Sequence, residues 1–399
     1  MLPNPALSNP KMYYSLGVLY LAAVAQQNHH SVAVADLRNG YKPLPTAKFY
    51  GFSCTTPEIN YARKIARTLR GKTIVGGAHP TVLPQDCVGQ FDYTVIGEGE
   101  NAILEILSGK SPYNVLVGQR VIDLDTIPYP AWDMMEDPFS DTLFPGEKYG
   151  KAAKAATLIS SRGCPFHCAF CSNLYWLPVV HRSVENIIGE LKALIKRGIT
   201  FFRFEDDNMC QHPALEALSQ EMKKLNIHYK CHIRSDLVNE RRVRLLAESG
   251  CEECGMGLES ADDVVLKLNN KRETTTDHFQ GVKLLKSFGI RVKTYWVMGL
   301  PGETDKTLEL NKQFVIDTQP DKWTVSTFTP YPGCDIYKHP RDYNIEIIDP
   351  DWAHWWNFCE ELQRYNHILI GQTPEQMWDR YLEFYRFLKS GEWKHAESN

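Results

Sequence analysis

Three cysteines, Cys164, Cys168 and Cys171, fall within the segment Ser161-Arg162-Gly163-Cys164-Pro165-Phe166-His167-Cys168-Ala169-Phe170-Cys171. The spacing is CxxxCxxC, with an aromatic residue before the last cysteine. Three thiols this close cannot all pair as disulfides. As thiolates they can hold three corners of an iron–sulfur cube, whose irons are normally held by cysteine. The fourth iron would then stay open to a small molecule. The competing readings are buried free thiols and a zinc knuckle. Zinc needs a fourth Cys or His, and His167 could supply it. Structural zinc sites, however, favour paired CxxC spacing.

The 399 residues leave room for two domains, or for one large domain and an extension. Hydrophobic residues make up 43% of the chain, an ordinary content for a globular protein. The net charge of −4 gives no broad basic surface, so a nucleic-acid partner is not expected. The eleven cysteines are an odd number with three at ligand spacing, which suits a reducing cytoplasm better than a secreted disulfide framework. The apolar stretch Leu16 to Ala25 is ended by Gln26, Gln27 and Asn28, too short to span a bilayer. No secretory leader is expected, because Pro3, Pro5 and Pro10 precede that stretch. No internal repeat is evident.

Apolar strand patterns alternate with helical ones. Residues 15–27 predict a helix, 31–36 and 48–53 strands, 57–70 a helix capped by Thr56, and 72–75 and 93–96 further strands. This alternation argues a parallel, doubly wound sheet with ligands beyond the carboxyl ends of its strands. Those ends carry Ser53, Thr55, Gly76, Gly77 and Glu98. Residues 111–150, rich in Pro, Asp and aromatics, predict a linker after a first domain of residues 1–110. From 151 to 335 the alternation restarts, with strands predicted at 156–161, 200–206, 228–235, 253–260, 291–300 and 321–330, enough for a partial (β/α)6 barrel. Residues 336–399 predict a helical C-terminal cap anchored by Trp352, Trp355, Trp356, Trp378 and Trp393.

Four further segments lie at or past these strands: Phe204-Glu205-Asp206-Asp207-Asn208, Cys231-His232-Ile233-Arg234-Ser235-Asp236, Gly255-Met256-Gly257-Leu258-Glu259-Ser260 and Trp296-Val297-Met298-Gly299-Leu300-Pro301-Gly302-Glu303. An acidic turn suits an ammonium group, and an arginine can grip a carboxylate bidentately. A solvated turn and a rim salt bridge are the ordinary alternatives. In this order after CxxxCxxC, residues 155–335 resemble the radical S-adenosylmethionine (radical SAM) enzymes. The resemblance implies a 4Fe–4S cluster on Cys164, Cys168 and Cys171, with SAM chelated to the open iron and cleaved reductively to a 5′-deoxyadenosyl radical. It further implies Glu205, Asp206, Asp207 and Arg234 near the methionine end of SAM, and Phe170 among the cofactor-binding residues. Glu259 would contact the sugar region or order Lys271 and Arg272, Met298-Gly299 would edge the adenine, and Glu303 would cap the following helix.

The N-terminal segments Leu16-Gly17-Val18-Leu19-Tyr20-Leu21-Ala22-Ala23, Gly76-Gly77-Ala78-His79-Pro80-Thr81 and Gly97-Glu98-Gly99-Glu100 resemble the cobalamin-binding domain of cobalamin-dependent radical SAM enzymes. That subgroup includes C- and P-methyltransferases, ring-contracting enzymes and an anaerobic porphyrin cyclase. It implies cobalamin over the strand ends at Ser53, Thr55, Gly76, Gly77 and Glu98. Two departures shorten the domain. Met1-Leu2-Pro3-Asn4-Pro5 leaves almost no first strand, and Leu37 to Ala47, with Pro43 and Pro45, is too short for a normal crossover. Both a cobalamin-binding domain and a trimmed remnant that has lost the cofactor stay open.

Cys334, at the end of the sixth strand pattern, is a candidate hydrogen-atom donor or substrate holder, or else a Ser-like turn residue. Cys251 and Cys254 form a lone CxxC that reads as core packing rather than zinc. Cys54, Cys87 and Cys359 do not complete a second cluster. The sequence therefore predicts a radical SAM enzyme acting on a small molecule, methyltransferase-like if cobalamin binds, with an external electron donor such as flavodoxin or ferredoxin. A cobalamin-free dehydratase, epimerase or cyclase is the alternative within the class. A non-catalytic metal-binding or regulatory protein is the alternative outside it. The substrate is not legible, because variable loops and caps choose it.

Overall fold

A computed structural model describes residues 15–37, 42–135, 154–172, 178–356 and 365–394. The expectations for residues 1–5, the second half of the 111–150 linker and Cys359 lie outside these residues. The chain divides into two compact units, one built chiefly from residues 1–158 and the other chiefly from 187–350 and 356–399.

The first unit carries a parallel sheet of strands β1 (Phe49–Ser53), β2 (Lys72–Gly76), β3 (Tyr93–Gly97) and β4 (Val115–Gly118), in that order. Helices α1 (Leu16–Gln27), α2 (Ile59–Ala66), α3 (Ala78–Val82) and α4 (Glu100–Leu107) accompany it. Neighbouring residues on a strand point to opposite faces, so the sheet has two cores. Phe52 and Val75 pack with Ile59, Ala62 and Ile65 of α2 on one side. Ile74 and Val95 pack with Ala102 and Ile106 of α4 on the other.

Two expectations change here. Residues 31–36 do not form a strand. An extended segment becomes a strand only by pairing its backbone, and β1 pairs only with β2 among the described strands. β4 pairs with β3 and so belongs to this sheet although it lies within the predicted linker. Its Val115 and Val117 are exposed, and that is why no buried-strand pattern marked it. The helix predicted over 57–70 is a 3₁₀ turn, Thr56–Glu58, followed by α2, and its cap is Thr55 rather than Thr56.

In the second series, β5 (Ala155–Leu158), β6 (Phe201–Phe204), β7 (His228–Ile233), β8 (Cys251–Glu259), β9 (Arg291–Met298) and β10 (Lys322–Thr327) stand in sequence order in one sheet. The pairs from β6 to β10 are parallel. Helices α5 (Val184–Lys196), α6 (Leu215–Leu225), α7 (Glu240–Glu248), α8 (Asp263–Leu268), α9 (Thr275–Ser287) and α10 (Asp305–Thr318) fall between strands. Gly198 and Gly289 follow α5 and α9 with φ of 82° and 75°, the left-handed stop expected of them.

Tyr229, Cys231, Ile233 and Trp296 are buried on the helix-covered face. The opposite face carries charge: Glu253 is paired with Lys230 (3.2 Å), Lys322 (2.7 Å) and Arg291 (3.8 Å), and Arg203 is paired with Glu205.

The C-terminal region is not purely helical. A short helix, α11 (Asp335–Lys338), precedes an antiparallel pair, β11 (Ile345–Ile347) with β12 (His367–Leu369), and the long helix α12 (Pro374–Ser390) follows. Thr373 and Gln376 form a capping box at the start of α12, with Pro374 in its first turn. The tryptophans act as anchors: Trp355 and Trp393 are almost fully buried, and the Trp378 ring stacks on Tyr381. Among the described residues no helix is long and apolar enough to cross a membrane.

Candidate iron–sulfur and cofactor site

The cysteine loop follows β5. Its backbone is pinned by the segment after α8: Ala169 N–H donates to Asn269 O (2.9 Å), and Asn270 Nδ2 donates to His167 O (2.6 Å). Cys171 N–H donates to Cys168 O (3.0 Å), closing a turn that turns the loop back on itself. Ligands of one zinc ion would lie about 3.8 Å apart, given Zn–S bonds near 2.3 Å. The sulfurs of Cys164, Cys168 and Cys171 do not form a group with mutual distances within 4.8 Å. A cube, which gives each thiolate its own iron, accommodates the wider spread.

The electrostatics fit that group. Arg234, at the end of β7, donates Nη1–H to Cys168 Sγ (3.8 Å), and its guanidinium lies 3.6 Å from the Phe166 ring centroid. Lys271 sits 5.9 Å from the Phe170 ring centroid. It pairs with Glu259 (3.1 Å) and Glu273 (3.0 Å). Glu273, fully buried, also accepts from Ser235 N–H (2.7 Å) and lies 3.4 Å from Arg234. Burial raises the Cys168 thiol above its ordinary range, while Lys271 and Arg234 pull it down. Burial raises Cys164 in the same way. For Lys271 burial works downward, but Glu259 and Glu273 outweigh it and hold the ammonium charged. Arg234 and Lys271 thus place positive charge beside Cys168, although each is also paired with carboxylates, Asp236 and Glu273 for Arg234 and Glu259 and Glu273 for Lys271.

β8 bends to deliver Glu259. Its pairing slips between Gly257 and Glu259, and Glu259 takes φ of +65°. A Cβ on Gly257 would come within 2.5 Å of Glu259 Oε1, so glycine makes the room.

The acidic turn after β6 splits into three roles. Asp206 is buried and accepts from Ser160 N–H (3.0 Å), Ser160 Oγ (2.7 Å) and Ser161 Oγ (2.6 Å). Its carboxylate is used up in tying β5's end to β6, which corrects the expectation that it meets SAM directly. Glu205 turns to Arg203 and His232, and burial raises its pKa. Asp207 is exposed, and its charge acts on Cys164. Next to it Asn208, which sequence reasoning passed over, is 4% exposed, and neither its Oδ1 nor its Nδ2 has a hydrogen-bond partner. A buried amide left without partners costs about 1–3 kcal/mol, so a polar ligand at this position would satisfy it. The orphaned amide fits SAM beside the cysteine loop. Glu273 was also missed; its only signal was adjacency to Lys271.

Met298 is fully buried at the end of β9. Gly299 (φ 88°) donates N–H to Glu303 Oε2 (2.7 Å), and its carbonyl accepts from His367 Nε2–H (3.0 Å). Tyr365 would lie 2.4 Å from a Cβ there. Glu303 therefore serves Gly299 and Arg380 (3.3 Å) rather than capping α10, whose capping box is Thr304 with Thr307. Burial raises Glu303 to about 7, against Gly299 N–H and Arg380. Its folded pKa lies above the ordinary 4.5, so its contribution to stability is full below that value and is lost as the pH rises through about 7. Glu303→Gln is expected to flatten that decline, read by thermal melts at pH values on either side of the window. An unchanged slope would count against this origin.

Cys334 is fully buried, and its Sγ accepts from Tyr337 N–H (3.3 Å) at the start of α11. Burial pushes its thiol up to about 11. The Ser-like turn reading is the one the structure supports, and a catalytic Cys334 is corrected: a capped, buried thiol has no open face for substrate.

In the first unit Ser53, Thr55, Gly76, Gly77 and Glu98 do gather past the strand ends. Two of their side chains are spent within the fold, however. Thr55 N–H and Oγ1 both donate to Glu58 Oε2 (2.7 Å each). Glu98 is buried against Arg120 (2.5 Å) and Val121 N–H (2.5 Å). Gly77 has φ of 98°, and a Cβ would lie 2.7 Å from Cys54 N. Gly77→Ala is expected to cost about 1–3 kcal/mol from the strained φ, read by denaturant unfolding. The space beside Gly77, Gly97 and Gly99 is taken by Cys54, Gly118 and Leu21. Ser53 Oγ and the backbone at Gly76 remain as the groups a macrocycle could meet, since glycine lets a ligand approach backbone closely.

Two family models match the chain: the radical SAM superfamily over residues 158–315 and the B12 binding domain over residues 10–107. The chain carries a radical SAM domain after a B12 binding domain. The two matched regions contain the cysteine loop, Arg234, Glu259, Lys271, Glu273 and Met298-Gly299, and also Ser53, Thr55, Gly76, Gly77 and Glu98, whereas Cys334 lies outside them. Similar proteins include an uncharacterized methyltransferase of Pyrococcus horikoshii, 26% identical over 93% of this chain and 87% of that one. Another is an anaerobic magnesium-protoporphyrin IX monomethyl ester cyclase of Rubrivivax gelatinosus, 24% identical over 84% of this chain and 65% of that one. Among solved structures, the radical SAM methyltransferase TsrM of Kitasatospora setae, with cobalamin and a [4Fe–4S] cluster bound, superposes with a TM-score of 0.69. It is 14% identical, and the match covers 96% of this chain and 87% of that one, which supports the shared fold.

Proposed function

We propose that this radical SAM enzyme transfers a methyl group to a small organic substrate with the help of cobalamin. The observation that carries the reading is the cysteine loop flanked by the buried Arg234–Lys271–Glu273–Glu259 network, in one chain with a B12 binding domain. When bound, the cluster and SAM supply a 5′-deoxyadenosyl radical, and cobalamin supplies a transferable methyl group.

In this reading Cys164, Cys168 and Cys171 hold the cluster, with Arg234 and Lys271 placing positive charge beside Cys168. Asp207 receives the SAM amine, Asn208 hydrogen-bonds the same ligand, and Phe170, Glu259 and Met298-Gly299 shape its surroundings. Ser53 and Gly76 receive the macrocycle. Glu205, Asp206, Thr55 and Glu98 act by positioning rather than by contact. The charged sheet face around Glu253 suits a polar substrate better than an all-hydrocarbon one. A low-potential donor such as flavodoxin or ferredoxin would deliver the electron.

The test is anaerobic reconstitution with iron, sulfide and hydroxocobalamin, followed by metal analysis and assay for 5′-deoxyadenosine with SAM and a chemical reductant. Iron and cobalt both bound, with 5′-deoxyadenosine formed, supports the proposal. Folded protein that binds no iron would sink it. A second reading, cobalamin-free radical chemistry, is favoured by the internally spent Thr55 and Glu98. 5′-Deoxyadenosine formed by protein that holds no cobalt would select it.

A further inference from the structure

Cys231 on β7 and Cys251 and Cys254 on β8 are all buried on the helix-covered face of the larger sheet. Their sulfurs meet at one point: Cys231 to Cys251 is 3.9 Å, Cys231 to Cys254 3.7 Å and Cys251 to Cys254 3.7 Å. Among the described residues this is the one group of three metal-ligating side chains with mutual distances within 4.8 Å.

The backbone has to bend to make the group. Residues three apart on a regular strand point to opposite faces. The register of β8 against β7 slips between Cys251, opposite Tyr229, and Glu253, opposite Lys230. Glu252 is the extra residue, and the slip carries Cys251 onto the face that already holds Cys254 and its lateral neighbour Cys231. Bulges re-aim side chains in this way.

We propose that Cys231, Cys251 and Cys254 form a second metal site, for a thiophilic d¹⁰ cation, separate from the radical SAM cluster. The observed separations match the edge of a tetrahedron with Zn–S bonds near 2.3 Å, about 3.8 Å. Cys210, buried in the turn Met209–Gln211, lies outside the group of three as it stands, so a four-coordinate zinc would need Cys210 to move in or a water as fourth ligand. Without a fourth ligand, three thiolates suit copper(I), which soft sulfur ligands select. Binding releases the thiol protons to solvent as the thiolates form. The 7% exposure of Cys251 marks the way in. Loaded, the ion would cross-link β7 to β8 and stabilise the sheet that presents Arg234 and Glu259, since a ligand that binds only the folded state adds to its stability.

The experiment measures zinc, copper and iron in the full chain as isolated and after iron–sulfide reconstitution. It compares wild type with the Cys164→Ala/Cys168→Ala/Cys171→Ala triple variant and the Cys251→Ser/Cys254→Ser double variant. The expected result is roughly one zinc or copper per chain in wild type and in the triple variant. The double variant should lose that ion at least tenfold while keeping its iron. Zinc rather than copper would assign a four-coordinate site, its fourth ligand tested by Cys210→Ser, and copper would assign the three-coordinate site. If the double variant does not fold, the metal-stripped triple variant is titrated with Co²⁺, and intense thiolate-to-cobalt charge-transfer absorption is expected. Wild type holding neither zinc nor copper, with no such absorption in the triple variant, overturns the proposal. So does zinc kept by the double variant. Zinc lost only in the triple variant would place it on the CxxxCxxC loop and overturn the cluster assignment as well, whereas iron bound with an empty second site leaves that assignment standing.

Discussion

Cys168→Ala should yield a folded protein that takes up no stable cluster and forms no 5′-deoxyadenosine above background. Cys168 is the cysteine of the loop that Arg234 touches, and its thiol feels both Arg234 and Lys271. With alanine there, an iron loses its thiolate and Arg234 loses its contact with the Cys168 sulfur. Removing one small buried side chain costs only on the order of 1 kcal/mol in packing, so the fold should survive and the loss should be specific. Cys164→Ala and Cys171→Ala should behave alike. The measurement is iron per chain with the visible absorption of the reconstituted protein, alongside circular dichroism. Full iron loading in any of the three variants would remove that residue from the ligand set.

Glu273→Ala should destabilise the protein by about 3–5 kcal/mol, the usual cost of removing one partner from a buried ion pair. Its carboxylate is fully enclosed between Lys271 at 3.0 Å, Arg234 at 3.4 Å and the Ser235 N–H at 2.7 Å. The stranded cations keep Glu259 and Asp236 as partners, which places the expected effect at the lower end of that range. Burial alone would raise the Glu273 pKa, but Lys271 and Arg234 hold it below the ordinary value. Its contribution is therefore present above about pH 4.5 and is lost as the pH falls through the depressed folded value. Urea unfolding at neutral pH checks the magnitude. A change under about 1 kcal/mol would mean that the network does not hold the site together. Glu273→Gln, which keeps the shape and loses the charge, should fall between wild type and alanine.

Much of this protein was legible in its sequence because the signals are local. The CxxxCxxC spacing lies within eight residues, and the alternation of strand and helix repeats within each unit, so all six strands of the larger sheet lie close to where the pattern put them. The glycines after α5 and α9 mark their ends for the same reason: a left-handed backbone is a property of one residue. The strand expected at residues 31–36 failed because pairing is not local. Its apolar alternation is right for a strand, but a pattern marks only a candidate, and none of the described strands includes it. β4 shows the converse, a strand made by its partner β3 despite exposed valines.

Side-chain roles were decided by contacts across long stretches of chain. Asp206 is taken by serines 45 and 46 residues away, and Glu98 by Arg120, 22 residues on. An acidic motif cannot show whether its carboxylates look outward to a ligand or inward to the fold. Cys334 looked reactive in a rim segment and proved to be a helix cap, because burial removed its access. Cys251 and Cys254 read as core residues until the bulge in β8 and the parallel register with β7 brought Cys231 against them. Residue type and spacing determine what chemistry is available. Which groups are desolvated, paired or left facing a ligand is settled only when the tertiary structure brings distant strands together, since those interactions act over a few ångströms of space and not along the chain.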